Sequence, residues 1–178
     1  MQATTMEHLA DEAIDDQILV AISDLLPRLY NHARYLLPVE DARDAVSAAI
    51  EHLWRNRLKY RAKDEMPIER WATRVAFNKI RDEARRHRRR ASHVSPYGSD
   101  VDLAVGDGAE QRAILGQIRQ GIDSLPQRDA DLIALRYGAD LSNHEIAELL
   151  NTTPGAVAVA LHRAIQRLRA TTAEEHPR

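Results

Sequence analysis

Apolar residues recur at helical spacing in nearly every patterned stretch of this chain, and no stretch alternates apolar and polar positions between hairpin turns. The expected fold class is therefore all-α. A first helix is expected from about Ile14 to Leu37. Pro27 should break it, because an interior proline lacks a donor and clashes one turn back, and Pro38 should end it. A second helix follows from about Asp41 to Asn56, with acids in its first turn and Arg55 near its end, as the helix dipole prefers. Its apolar stripe comprises Val46, Ile50, Leu53 and Trp54. After the polar, basic segment RLKYRAKDEM, Pro67 can open a third helix whose inner face is marked by Ile68, Trp71, Ala72, Val75, Ala76 and Ile80. This helix runs on into RDEARRHRRR.

From about Ala91 to Gly108 the pattern gives way to Ser, Pro, Gly and Asp, and SDVDLAVGDG is acidic directly after the basic run. Periodicity then resumes with Ile114, Leu115, Ile118, Ile122 and Leu125, stops at Pro126, and restarts through Leu132, Ile133, Leu135 and Tyr137. Ser142 followed three residues later by Glu145 is a capping box, which begins a short helix ending near Leu150. The turn NTT leads to Pro154, with Thr153 as the expected N-cap, and a last helix carries Val157, Leu161, Ile165 and Leu168. The organisation predicted is two small helical domains, 1–92 and 111–178, joined by a flexible acidic linker at 93–110.

Net charge changes this picture little until its distribution is read. A formal charge of −2 argues against a nucleic-acid partner only if charge is spread evenly, and here it is segregated. The chain has no cysteine, which excludes disulfides, thiolate metal sites and cysteine nucleophiles. Its acidic N-terminus does not resemble a signal peptide, no run approaches the roughly 20 apolar residues of a membrane span, and a cytoplasmic protein is expected. The eight histidines are scattered without metal-site spacing, and neither a glycine-rich phosphate loop nor a nucleophile elbow occurs. Catalysis, metal and cofactor are therefore not expected.

Two features carry chemistry. The helix pair Ser142–Leu150 and Pro154–Arg169, joined by a short turn, has the spacing of a helix-turn-helix, whose second helix can enter a DNA major groove. Arg163, Arg167 and Arg169 lie on its polar side. The third helix ends with Arg81, Arg85, Arg86, Arg88, Arg89 and Arg90 around His87, a density that repels itself unless a polyanion is near. Beside it, Asn78 offers an amide and Tyr60 a stacking face, whereas Trp54 and Trp71 lie on apolar stripes and read as core.

Together these features resemble sigma factors of the extracytoplasmic-function group. The resemblance rests on LYNHARYLLPVEDARDAVSAAIEHLWR, on WATRVAFNKIRDEARR, and on LPQRDADLIALRYGADLSNHEIAELLNTTPGAVAVALHRAIQRL. It implies a noncatalytic factor that binds core RNA polymerase and promoter DNA, with an anti-sigma factor as a further partner. Its first domain would read and melt the minus-ten element through Tyr60, Arg61, Asn78, Arg81, Arg85 and Arg86. Its second would read the minus-thirty-five element through Thr153, Gly155, Ala158, His162, Arg163 and Arg167, and polymerase would be held by Asp41, Asp44, Ser47 and Trp54.

Two departures from the family matter. Ser47 and Ala48 stand where relatives commonly have Gln-Glu, and Ala158 and Ala160 stand where many carry Arg or Lys for the groove. Alanine can touch a thymine methyl but cannot make the bidentate guanine contact, so weak base readout is expected there. A stand-alone helix-turn-helix regulator would leave the Trp71–Arg90 pattern unexplained; a sigma-like interaction protein without promoter activity would suit the alanines.

Overall fold

The computed structural model describes residues 2–62, 66–91 and 120–174. Every regular element among them is helical. Helix α1 spans Gln2–Leu36, α2 Val39–Arg55 and α3 Ile68–Ala91, with a 3-10 turn at Arg57–Ala62 between α2 and α3. Residues 120–124 are helical, and after Pro126 come α4 (Gln127–Ile133), a π-turn at Ala134–Gly138, α5 (Asn143–Leu150) and α6 (Pro154–Glu174).

The first three helices pack on one another through faces that the spacing defines. Ile18, Ala21, Leu25, Leu29 and Leu36 line one side of α1, and Ala42, Ala45, Val46, Ala49 and Leu53 one side of α2. On α3 the buried face is Ile68, Trp71, Ala72, Ala76, Phe77, Ile80 and Ala84. Alanines at so many of these positions let the helix axes approach closely. Phe77, fully buried, joins the expected face, while Val75, Ile50 and Trp54 are only partly covered. The later helices bury Leu132, Ile133, Leu135, Leu141, Ile146, Leu149, Val157 and Leu161, and Tyr137 turns outward because the π-turn shifts the helical register after Ile133.

Several expectations are corrected or fall outside the described residues. Helix α1 starts at Gln2 rather than Ile14, and it runs unbroken through Pro27. Pro27 and Ser23, one turn earlier, are both exposed, so the carbonyl that the proline leaves unpaired faces water. The linker at 93–110 and the positions Ile114, Leu115 and Ile118 lie outside the described residues.

The sequence also left open how the halves sit together. They are packed against each other, and their buried apolar side chains form one continuous cluster. One close approach is at Gly138 in the π-turn, where a Cβ would stand 2.9 Å from Tyr35 Cδ2 and 3.1 Å from the Asn31 carbonyl oxygen of α1. No helix among the described residues is long and apolar enough to cross a membrane.

Because α1 is continuous, Pro27→Ala restores a donor within an existing helix. The expected result is a rise in unfolding free energy of about 1–3 kcal/mol, read from urea denaturation at constant m-value. No gain would show that the helix is in fact interrupted there.

Candidate nucleic-acid interface

The basic end of α3 is less free than its sequence implies. Arg81 donates from Nε to Asp131 Oδ2 at 3.0 Å and from Nη1 to Asn78 Oδ1 at 3.2 Å. Arg85 reaches the same Asp131 oxygen at 3.4 Å. Asp131 lies in α4, so the first unit's arginines close on a carboxylate from the second, whose other oxygen accepts from Gln127 at 2.7 Å. Arg88 donates to the carbonyls of Ile122 and Leu125 at 3.1 and 3.2 Å. Arg86 stays on its own helix, bonded to Glu83 at 2.7 Å. Lys79, hydrogen-bonded to Glu83, and Arg86 after it hold that carboxyl below its usual range against the opposing effect of partial burial. The self-repulsion expected of the arginine run is thus relieved internally.

Tyr60 sits within the 3-10 turn, half-buried. Its hydroxyl donates to the Met66 carbonyl at 2.7 Å and its ring tilts against Trp71 with centroids 5.8 Å apart. The side chain of Arg61 lies outside the described residues. On α2, Asp41, Asp44 and Ser47 are exposed, and Asp41 Oδ2 stands 3.4 Å from His87 Nε2 of α3. Trp54 is partly buried, with the Arg57 guanidinium 4.3 Å over its ring.

Helices α5 and α6 form the expected two-helix frame. Ser142 accepts from the Glu145 amide at 3.2 Å while its own amide donates to Glu145 Oε2 at 2.7 Å, so the capping box is complete. Burial pushes Glu145 up, but the Ser142 amide and hydroxyl and the Arg28 guanidinium outweigh it and hold the carboxyl below its usual range. Asn151 closes α5 at φ 54°, and Thr153 Oγ1 accepts from the Ala156 amide at 3.2 Å to start α6. Val157, Leu161 and Ala164 point inward. The outer face presents Gly155, Ala158, Val159, His162 and Arg163, with open space beyond Gly155. Arg167 instead bonds the buried Asp129 of α4, tying the last helix to its own frame.

Asp129, Asp131, Arg28, His32 and Gly138 were not singled out from sequence. The two acids are buried in α4, just ahead of the apolar run from Leu132, and such burial requires partners elsewhere, because a carboxylate is rarely buried unpaired. Arg28 bonds the Ala139 carbonyl at 2.9 Å and Glu145 at 3.0 Å. No group of three or more potential metal ligands occurs among the described residues.

Comparison with known proteins matches both halves. The family described as Sigma-70 region 2 matches residues 21–90, and Sigma-70, region 4 matches residues 115–168. The ECF RNA polymerase sigma factor ShbA of Streptomyces griseus is 31% identical over 110 residues, spanning 58% of this chain and 58% of that protein. The ECF RNA polymerase sigma factor SigD of Mycobacterium tuberculosis is 38% identical over 66 residues, 35% of this chain and 31% of SigD. Among solved structures, CnrH in complex with the cytosolic domain of CnrY aligns with a TM-score of 0.63 at 20% identity, covering 94% of this chain and 97% of that one. The sigma factor RpoE in complex with the anti-sigma factor NepR from Bartonella quintana aligns at 0.60 and 15%, covering 93% and 99%. These two likenesses show a shared fold.

His32 lies where the two halves meet, 5.1 Å from the Phe77 ring and fully buried. Neither ring nitrogen has a well-formed hydrogen bond, and burial lowers its pKa from 6.5 to about 4; the Ala134 backbone and Asp131 oppose this while Arg81 adds to it. The folded chain therefore refuses a proton that the unfolded chain takes below about pH 6.5, so stability should fall between pH 6.5 and 4, by on the order of 3 kcal/mol. Denaturation of wild type and His32→Leu across that range should show a shallower slope in the variant. Equal slopes would remove His32 as the cause.

Proposed function

This chain belongs to the sigma-70 family, in its extracytoplasmic-function group, and we propose that it binds core RNA polymerase and directs promoter-specific initiation while catalysing nothing itself. The observation that carries this reading is that the two family regions fall separately on the two helical units, each of which holds a candidate nucleic-acid surface. The domain limits proposed are 1–92 and 111–178, with 93–110 as the linker.

In the first unit Tyr60 and Arg61 would receive a base leaving the stack, Asn78 would hydrogen-bond it, and Arg81, Arg85 and Arg86 would take phosphates. Polymerase would bind the exposed acids of α2, Asp41 and Asp44, with Ser47 and Trp54 beside them. In the second unit Thr153 and Gly155 place the amino end of α6 against phosphate, and Ala158, His162 and Arg163 face the base edges. Arg167 belongs to this surface only if it leaves Asp129. RpoE solved with its anti-sigma factor supports a protein inhibitor as a further partner, and a polymerase partner implies a cytoplasmic location.

A sigma-like interaction protein without promoter activity is favoured by the small, apolar outer face of α6. Reconstituted transcription with core polymerase on genomic DNA separates the readings: initiation at defined promoters that requires this chain is expected, and its absence would overturn the proposal. Within that assay, Asn78→Ala and Tyr60→Ala should each lower open-complex formation about five- to hundredfold, matching the roughly 1–3 kcal/mol of a base contact, with polymerase binding unchanged. Tyr60→Phe should retain most activity because the ring remains.

Base readout upstream should be weak. Changing single bases of the minus-thirty-five element should cost less than the roughly 1–3 kcal/mol of a bidentate contact. Sharp discrimination by base identity in a binding titration would contradict this.

A further inference from the structure

Val157, Leu161 and Ala164 seat α6 on its frame. Val159, two residues after Val157, is turned about 200° from it round the helix, so it points away from the frame. It is 53% exposed, and no other large apolar residue of α6 is so exposed among the described residues. Nothing in the fold calls for it. A β-branched side chain loses χ1 freedom in a helix, so valine is a poorer helix former than alanine, and at an exposed position no packing offsets the difference. A valine set between the exposed Ala156 and Ala158 and the half-covered Ala160 therefore answers to something outside the chain.

Its neighbours define what that is. Beyond Gly155 there is open space, and Ala156 and Ala158 carry one methyl each, so no long side chain at the start of α6 holds the helix away from what it docks against. A short side chain such as valine reaches a base edge only on a helix that can lie this deep. One turn further on, His162 and Arg163 are exposed on the same side and suit a polar, negatively charged surface. A protein partner would instead draw on large anchors such as Trp, Tyr or several Arg, in which binding hot spots are rich, and this face offers one arginine beside a valine.

In the major groove thymine alone presents a methyl group, on C5, while the other base edges offer hydrogen-bonding groups. From this match we infer that Val159 selects thymine in the minus-thirty-five element through contact between its methyls and that C5 methyl. This rests on the reading that α6 enters the major groove there. Arg163 lies four residues on, roughly 6 Å along the helix at ~1.5 Å per residue, and so meets a guanine edge or phosphate about two base pairs from that thymine at ~3.4 Å per pair. The methyl belongs to one strand only, so the contact distinguishes T·A from A·T as well as from G·C. Readout of this kind is weaker than a bidentate hydrogen bond but still directional.

Uracil tests the inference, because it lacks only the methyl and keeps every hydrogen-bonding group of thymine. The full chain with core polymerase is titrated with a promoter at which it initiates, and each upstream thymine in turn is replaced by deoxyuridine. At the thymine facing Val159, binding should fall about fourfold, the effect of one buried methyl. Val159→Ala should bind the thymine promoter about fourfold more weakly than wild type and should no longer distinguish uracil from thymine. That loss is not unfolding, since alanine is the better helix former and the position is exposed; retained helical circular dichroism checks it. Arg163→Ala should weaken binding to both promoters equally and keep the uracil effect.

Equal binding of thymine and uracil promoters by wild type would overturn the inference, as would a uracil effect that persists in Val159→Ala. A Val159→Ala variant that binds DNA normally but loses affinity for core polymerase would overturn it too, and would give this face to a protein partner. In each of these outcomes initiation by the wild-type chain stands. Failure to initiate at any promoter would instead strike the sigma reading, and this inference with it.

Discussion

Asp131 places a carboxylate, 2% exposed, among the buried residues of α4 and leaves its neutralisation to arginines from another part of the chain. Desolvating that charge without its partners would cost several kcal/mol, so the buried position is tenable only while α3 lies against α4. The other cross-unit contacts follow from this placement. Once α3 is docked, Arg88 meets the carbonyls of Ile122 and Leu125, and α1 comes close enough to the π-turn that position 138 has no room for a side chain. His32, sealed in the same seam, is held as the neutral base chiefly because burial strips an imidazolium of its water, which outweighs the Ala134 backbone and Asp131.

Local structure was legible wherever a single residue satisfies its own neighbourhood. The capping box at Ser142 and Glu145 and the cap at Thr153 need only residues three positions away, and both occur where the sequence indicates. The stripes of α2 and α3 were legible for the same reason, since helical spacing alone decides which side faces in. Pro27 was misread because the rule for proline concerns what the backbone loses. Whether a helix ends there depends on whether water can serve the orphaned carbonyl, and Pro27 lies on an exposed face.

The candidate site was legible as a set of residues but not as an arrangement. Arg81, Arg85 and Asn78 share a helix face three and four residues apart, which the sequence shows. That their counter-charge comes from Asp131, about fifty positions away, is a tertiary fact with no local signature. Arg167 illustrates the same limit: it lies on the polar side of α6, yet its partner Asp129 draws it back onto the frame. Gly138 gave no signal, because its smallness answers to α1 and not to any neighbour in sequence.

The two candidate nucleic-acid surfaces therefore differ in availability as well as in chemistry. The outer face of α6 stays exposed when the units are together, but it presents Gly155, Ala158 and Val159, with only His162 and Arg163 able to hydrogen-bond a base edge. The α3 surface has the amide and guanidinium groups that sequence-specific contact requires, and it is the one covered by Asp131. Packing of the units thus covers the candidate surface that is richer in hydrogen-bonding groups and leaves the poorer one exposed.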